Sequence, residues 1–302
     1  MDVELLLDAK ALVAEGPTWD GLSNTLVWVD IRGQRLHRLD PESGVDTAFD
    51  TGQPVSAVAL CADSDALILA LRDGFGLLEA GQLSLVAPVE TRIRSNRMNE
   101  GKVDPGGYFW AGTMNQDSAP HAGALYRLSP EFAVTKILGN LTIPNGIDWT
   151  DDASAMYFID SGTGRVDIFD YDCDTGAISN RRAVVEINRG DGQPDGMTLD
   201  ADGYLWVAIW GGSQVRRYAP NGRLDGVVEL PVSLVTSCCF GGRDLKDLFI
   251  TTSWARLSDE EHARQQHAGG LYRCRPGVSG RHSWRFRPQP TGTAIAPGSA
   301  SE

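Results

Sequence analysis

The chain has 302 residues, 42% of them hydrophobic and 22% charged, enough to bury a sizeable core in one or two domains and unlike a fibrous, collagen-like or wholly disordered chain. Lysine and arginine number 27 against 40 acidic residues, and a net charge of −13 repels nucleic acid and anionic lipid, which argues against either as a partner. Thirty-four glycines outside any low-complexity tract point to many tight turns between short elements, and so to an all-β chain.

Met1 to Asp8 places acids on both sides of Leu5-Leu6-Leu7 and lacks the basic start and long apolar stretch of a signal peptide. No apolar run approaches the roughly 18 residues needed to cross a membrane. Five cysteines are scattered without CxxC spacing, which fits reduced thiols in the cytoplasm. Adjacent Cys238 and Cys239 alternate faces on a strand and are expected to be buried.

One phrase recurs along the chain: a short apolar stretch, a turn, then an aromatic or aliphatic strand. Glu15-Gly16-Pro17-Thr18-Trp19-Asp20 precedes Thr25-Leu26-Val27-Trp28-Val29-Asp30. A weaker copy starts at Ser56, and Glu100-Gly101-Lys102-Val103-Asp104 precedes Tyr108-Phe109-Trp110-Ala111-Gly112. Asn145-Gly146-Ile147-Asp148-Trp149 and Asp195-Gly196-Met197-Thr198-Leu199-Asp200 open two more copies, and a last weak one starts at Ser237. Glu15, Ser56, Glu100, Asn145, Asp195 and Ser237 thereby align at spacings of 41, 44, 45, 50 and 42 residues. Each copy continues into a third strand such as Arg35–Asp40 or Val166–Asp170, and then into a more polar fourth. Four strands per 40 to 50 residues without helical periodicity predict a six-bladed β-propeller over residues 1–287, with an all-β solenoid as the structural alternative. Val3 to Lys10 reads as the strand that completes the sixth blade, with Trp284-Arg285-Phe286-Arg287 as a competitor. Residues 288–302 are small, polar and proline-rich and read as a disordered tail. Ser258 to His267 reads as a short surface helix.

The first strand of each propeller blade lines the central channel, so the six aligned residues are expected to form a ring near one mouth. Glu15, Glu100, Asp195 and Asn145 would converge there, and like charges so close call for a cation. Oxygen donors without a histidine cluster suit Ca²⁺, Mg²⁺ or Mn²⁺, while Zn²⁺ and Fe²⁺ also accept such ligands. The competing reading treats Asn-Gly and Asp-Gly as ordinary turn signals, a reading weakened by their equivalent places in the repeats. There is no G-x-S-x-G, no Walker-type loop, no H-E-x-x-H and no GxGxxG after a strand. Trp19, Trp110, Trp149 and Trp206 are expected to pack between blades and not to form a sugar platform.

Glu15-Gly16-Pro17, Arg97-Met98-Asn99-Glu100-Gly101-Lys102-Val103-Asp104 with Trp110-Ala111-Gly112-Thr113-Met114, Pro144-Asn145-Gly146 and Pro194-Asp195-Gly196-Met197 together resemble the senescence marker protein / gluconolactonase / regucalcin family of six-bladed propellers. The resemblance runs from about Glu15 to Arg273. It implies a metal-dependent lactonase that opens sugar aldonolactones of pentonic or hexonic acids, with one divalent ion held by Glu15, Asn145 and Asp195. It also implies that Arg97, Asn99 and Asp117 contact substrate, and Asp195 is then the candidate general base. Glu100 departs from the aspartate more usual there, and is a candidate contact behind the ligands. A non-catalytic calcium-binding regulator, and an esterase or organophosphate hydrolase on the same scaffold, are the alternatives carried forward.

Overall fold

Six four-stranded antiparallel sheets follow one another along the chain in the computed structural model, which describes residues 2–289. They are the blades of a six-bladed β-propeller. Blade 1 begins with the innermost strand Ala14–Asp20, and the innermost strands of blades 2 to 6 are Val55–Leu60, Asn96–Val103, Pro144–Trp149, Gln193–Leu199 and Val235–Gly241. Each packs against the innermost strand of the next blade, and the last against the first, so the ring is closed. The blade faces are apolar, and the core lies between neighbouring blades. Val27 and Val29 of blade 1 pack with Val58 and Leu69 of blade 2, and Trp206 and Val215 of blade 5 with Cys238 and Ile250 of blade 6. This layout explains why nearly every residue of the innermost strands is buried: each is covered by a blade on either side.

Closure is by the N-terminal strand. Glu4–Leu7 pairs antiparallel with Leu271–Cys274 as the outermost strand of the sixth blade, as expected from the sequence. The competitor, Trp284 to Arg287, has a different place. After Cys274 the chain leaves the sheet and crosses the far end of the molecule as an irregular strap. Ala201 N donates to Ser279 O at 2.9 Å, Gly280 N to Leu245 O at 2.7 Å, and Phe286 N to Leu60 O at 2.9 Å. Arg281 donates to the Asp148 carboxylate at 2.7 Å, Arg285 to Asp20 at 3.0 Å, and Gln289 N to Pro130 O at 3.0 Å. The strap therefore bonds to all six blades. Backbone contact runs on to Gln289, one residue past the expected start of the tail at 288; residues 290–302 lie outside those described.

The predicted surface helix is Asp259–Arg264, started by a capping box in which Ser258 and Glu261 bond each other's backbone N–H. Cys238 and Cys239 are buried, and Trp110 and Trp149 are fully buried edge to face, as their packing reading requires. Among the described residues no helix is long and apolar enough to cross a membrane.

Candidate functional site

All six innermost strands run the same way, so their first residues gather at one mouth of the channel. Each strand also breaks register with its neighbour at or beside the aligned ring residue: between Glu15 and Thr18, Val55 and Ala57, Met98 and Gly101, Pro144 and Ile147, Pro194 and Met197, and Val235 and Ser237. Such bulges free a residue from the ladder and re-aim its side chain, here towards the channel. The following glycines make room. A Cβ on Gly196 would lie 2.1 Å from Ser237 Oγ, and one on Gly146 would lie 2.6 Å from Met197 Cβ. Only glycine lets these channel strands approach so closely.

At the mouth, Glu15, Arg97, Asn99, Asn145 and Asp195 line one cavity of about 100 Å³. A chain of hydrogen bonds fixes the polar groups. Arg97 Nη1 donates to Asn99 Oδ1 at 2.8 Å, Asn99 Nδ2 to Asn145 Oδ1 at 2.9 Å, Asn145 Nδ2 to Ser161 Oγ at 2.8 Å, and Ser161 Oγ to Pro194 O at 2.6 Å. The chain ends on the peptide that precedes Asp195. It also sets the Asn145 amide, whose nitrogen is committed to Ser161 so that its oxygen is turned to the other side.

Glu15 and Asp195 are 6% and 7% exposed. Burial first, then the Asp195 and Glu100 charges, pushes the Glu15 carboxyl well above its ordinary range. Asp195 is pushed well up by burial and then by Glu100. Neither carboxylate has an ion-pair partner among the described residues. Buried aspartates elsewhere are either paired, as Asp148 is with Lys102 and Arg281, Asp200 with Arg217, and Asp167 with Arg165 and Arg181, or hydrogen-bonded at both oxygens, as Asp30, Asp104 and Asp160 are. Uncompensated buried carboxylates cost several kcal/mol each. Two such groups beside an amide oxygen form a hard oxygen donor set that fits a divalent cation.

Glu100 lies deeper, in the channel below the cavity, with one oxygen accepting from Gly101 N at 3.1 Å and the other buried without a partner. Burial is the main cause that raises its carboxyl to about 6. The repeat alignment puts Glu100 on the ring, but it is Asn99, beside it in the blade 3 bulge, that lines the cavity. Asp117 sits on an exposed turn outside the cavity lining, to which its neighbour Ser118 contributes.

Among the lining residues that the sequence did not point to are Arg32, Ser161, Trp210 and Arg256. The first three stand at or just past the ends of second strands, which antiparallel pairing returns to the same mouth. A signal was present for two of them. Asp30 and Asp160 each end a second strand and accept the two N–H groups that precede the innermost strand, Leu12 and Val13 for Asp30, Thr142 and Ile143 for Asp160. The residues that follow these aspartates are then held at the site. Arg256 lies two residues before Ser258, the N-cap of the surface helix, and lines the cavity. Arg97 is lowered to about 10 by burial, against the pull of Glu15 and with the push of Arg32 and Arg256.

Residues 13–254 match the family model described as "SMP-30/Gluconolactonase/LRE-like region". The chain is 38% identical over 275 residues to the Bacillus subtilis (strain 168) protein named "Putative sugar lactone lactonase YvrE", covering 90% of this chain and 94% of that one. It is 39% identical over 279 residues to regucalcin of Homo sapiens, covering 90% and 93%. Among solved structures, a calcium-binding protein, regucalcin, of Agrobacterium tumefaciens strain C58 superposes with a TM-score of 0.89 at 30% identity, covering 94% of this chain and 96% of that chain. The chain belongs to the SMP-30/gluconolactonase/LRE-like family.

Proposed function

We propose that the protein hydrolyses a sugar lactone to its aldonic acid with one divalent cation held by Glu15, Asn145 and Asp195. The observation that carries this reading is the pair of buried, unpaired carboxylates facing a cavity whose amide and arginine are fixed by hydrogen bonds. The YvrE name supports the lactone, and the calcium-binding title of the Agrobacterium protein supports a cation. Bound there, the cation supplies Lewis-acid polarisation of the lactone carbonyl.

The chain's own groups divide the remaining work. Neither oxygen of Asp195 is held by a hydrogen bond among the described residues, so one is free to accept a proton from the attacking water. Water adds to the carbonyl carbon, the ring C–O bond breaks, the ring oxygen leaves as a hydroxyl carrying a proton, and the acid is released. Arg97 commits Nη1 to Met98 O and Asn99 Oδ1, leaving its other nitrogens to donate to substrate hydroxyls. Asn99 spends both amide hydrogens on Pro144 O and Asn145 Oδ1, so it holds Arg97 and Asn145 in place more than it reads substrate. Glu100 supports the site from below.

The test is a pH-stat assay of protein stripped of metal and reloaded separately with Ca²⁺, Mg²⁺, Mn²⁺, Zn²⁺ or Fe²⁺, on pentono- and hexonolactones. At least one pairing should exceed spontaneous hydrolysis by several orders of magnitude. Cation binding without turnover of any lactone would overturn the reading in favour of a calcium-binding regulator.

A further inference from the structure

Two arginines at the cavity mouth have no assigned work. Arg32 and Arg256 line the same cavity as Glu15 and Asp195, both are exposed, and among the described residues neither makes a side-chain hydrogen bond or an ion pair. The net charge of the chain is −13, and most of its other arginines are paired with acids, among them Arg38, Arg217, Arg281 and Arg285. The cavity lining thus carries three arginines against two carboxylates, an inverted sign for so acidic a protein.

Both are anchored to one segment of the chain. Arg32 follows Asp30 and Ile31; Ile31 N donates to Val13 O at 2.9 Å, and the Asp30 carboxylate takes the Leu12, Val13 and Gly33 N–H groups. Arg256 follows Trp254 and Ala255, whose N–H groups donate to Ala11 O at 3.0 Å and Leu12 O at 2.9 Å. Both loops are therefore stapled to the 11–13 segment, on the side of the mouth made by the first and last blades. Arg256 also has φ of +73°, a left-handed backbone that a non-glycine residue adopts at a cost of order 1–3 kcal/mol and that clusters at functional sites.

Guanidinium groups with free donors lining one cavity recognise carboxylate or phosphate. A neutral sugar lactone would leave both without a partner. We infer that the lactone hydrolysed here carries a second anionic group, a carboxylate or a phosphate, at the end remote from the ester, received by Arg32 and Arg256. This rests on the lactonase reading and narrows its substrate class. Arg97, tied to Asn99, remains with the sugar hydroxyls.

The test compares kcat/KM for three lactones on the cation-loaded enzyme: a neutral hexonolactone, an aldarolactone with a terminal carboxylate, and an aldonolactone with a terminal phosphate. One of the anionic lactones should exceed the neutral one by at least about tenfold at low salt, from charge-assisted hydrogen bonds and steering. Whichever of the two is preferred identifies the anion. In the double variant Arg32→Gln, Arg256→Gln the preferred anionic and neutral values should come within about threefold of each other, and 0.5 M salt should weaken the wild-type preference. Equal use of neutral and anionic lactones, or a preference that survives in the double variant, would overturn the inference while leaving the lactonase reading intact. Failure on all three lactones would instead count against that reading itself.

Discussion

Asn99 Nδ2 donates to Asn145 Oδ1 at 2.9 Å, joining the strand that carries Arg97 to the strand that offers the amide oxygen of the cation site. Through Ser161, which donates to Pro194 O, the chain of bonds that starts at Arg97 runs from blade 3 across blade 4 to blade 5. Groups that orient ligands in this way usually change metal affinity 10- to 100-fold when removed.

Replacing Asn99 by alanine should therefore weaken cation binding by about 10- to 100-fold. Calorimetric titration of the stripped variant with Ca²⁺ or Mn²⁺ checks this, and circular dichroism confirms the retained propeller. Affinity equal to wild type would mean that Asn145 is oriented by Ser161 alone.

The six-copy repeat was legible in the sequence because each innermost strand pairs an apolar face with a ring residue, followed by glycine in four of the six, at nearly constant spacing. Closure by Val3 to Lys10 was legible for the same reason, since the sixth copy lacks a fourth strand of its own. Glu15, Asn145 and Asp195 sit at the mouth where that alignment puts them. Glu100 could not be placed, because a bulge shifts the ladder without changing the residue count, and Asn99 takes the cavity position. Trp210 and Arg256 come from strand ends and connections whose lengths vary from blade to blade, so no periodicity marks them, whereas Arg32 and Ser161 follow the equivalent aspartates Asp30 and Asp160. The strap escaped because it satisfies its backbone on six different blades and has no ladder of its own to leave a pattern.

That strap should be an integral part of stability. Phe286 is fully buried and its backbone bonds Leu60 and Ala62. Phe286→Ala should cost about 3–5 kcal/mol in denaturant unfolding. Cation affinity should change little, because the strap lies at the mouth opposite the site. A loss below about 1 kcal/mol would show that the segment is dispensable.

Close approach of the channel strands gives a second structural prediction. Gly196→Ala places a methyl group against Ser237 and must displace the strand that carries Asp195. Overpacking of this kind costs about 1–3 kcal/mol. Here it should also lower cation affinity, which separates it from an overpacked position remote from the site. Calorimetry showing normal affinity would refute the coupling.

Glu100 should make the metal-free protein pH-sensitive. Its folded carboxyl is raised from 4.5 to about 6, chiefly by burial. A group raised on folding adds stability that is fully present below its unfolded value and is lost as pH rises through its folded value. Glu100→Gln removes that loss, so the Tm of the variant relative to wild type should climb between pH 4.5 and 7, both proteins being stripped of metal. A difference that stays flat or falls across this window would contradict the burial argument.

The most direct test of the central claim is a titration of stripped protein with the activating cation, following bound metal and lactone hydrolysis in the same samples. The account predicts that turnover rises in step with binding and saturates at one cation per chain, and that Asp195→Asn loses both together. Full turnover by the stripped protein, or one tightly bound cation with no turnover, would contradict it.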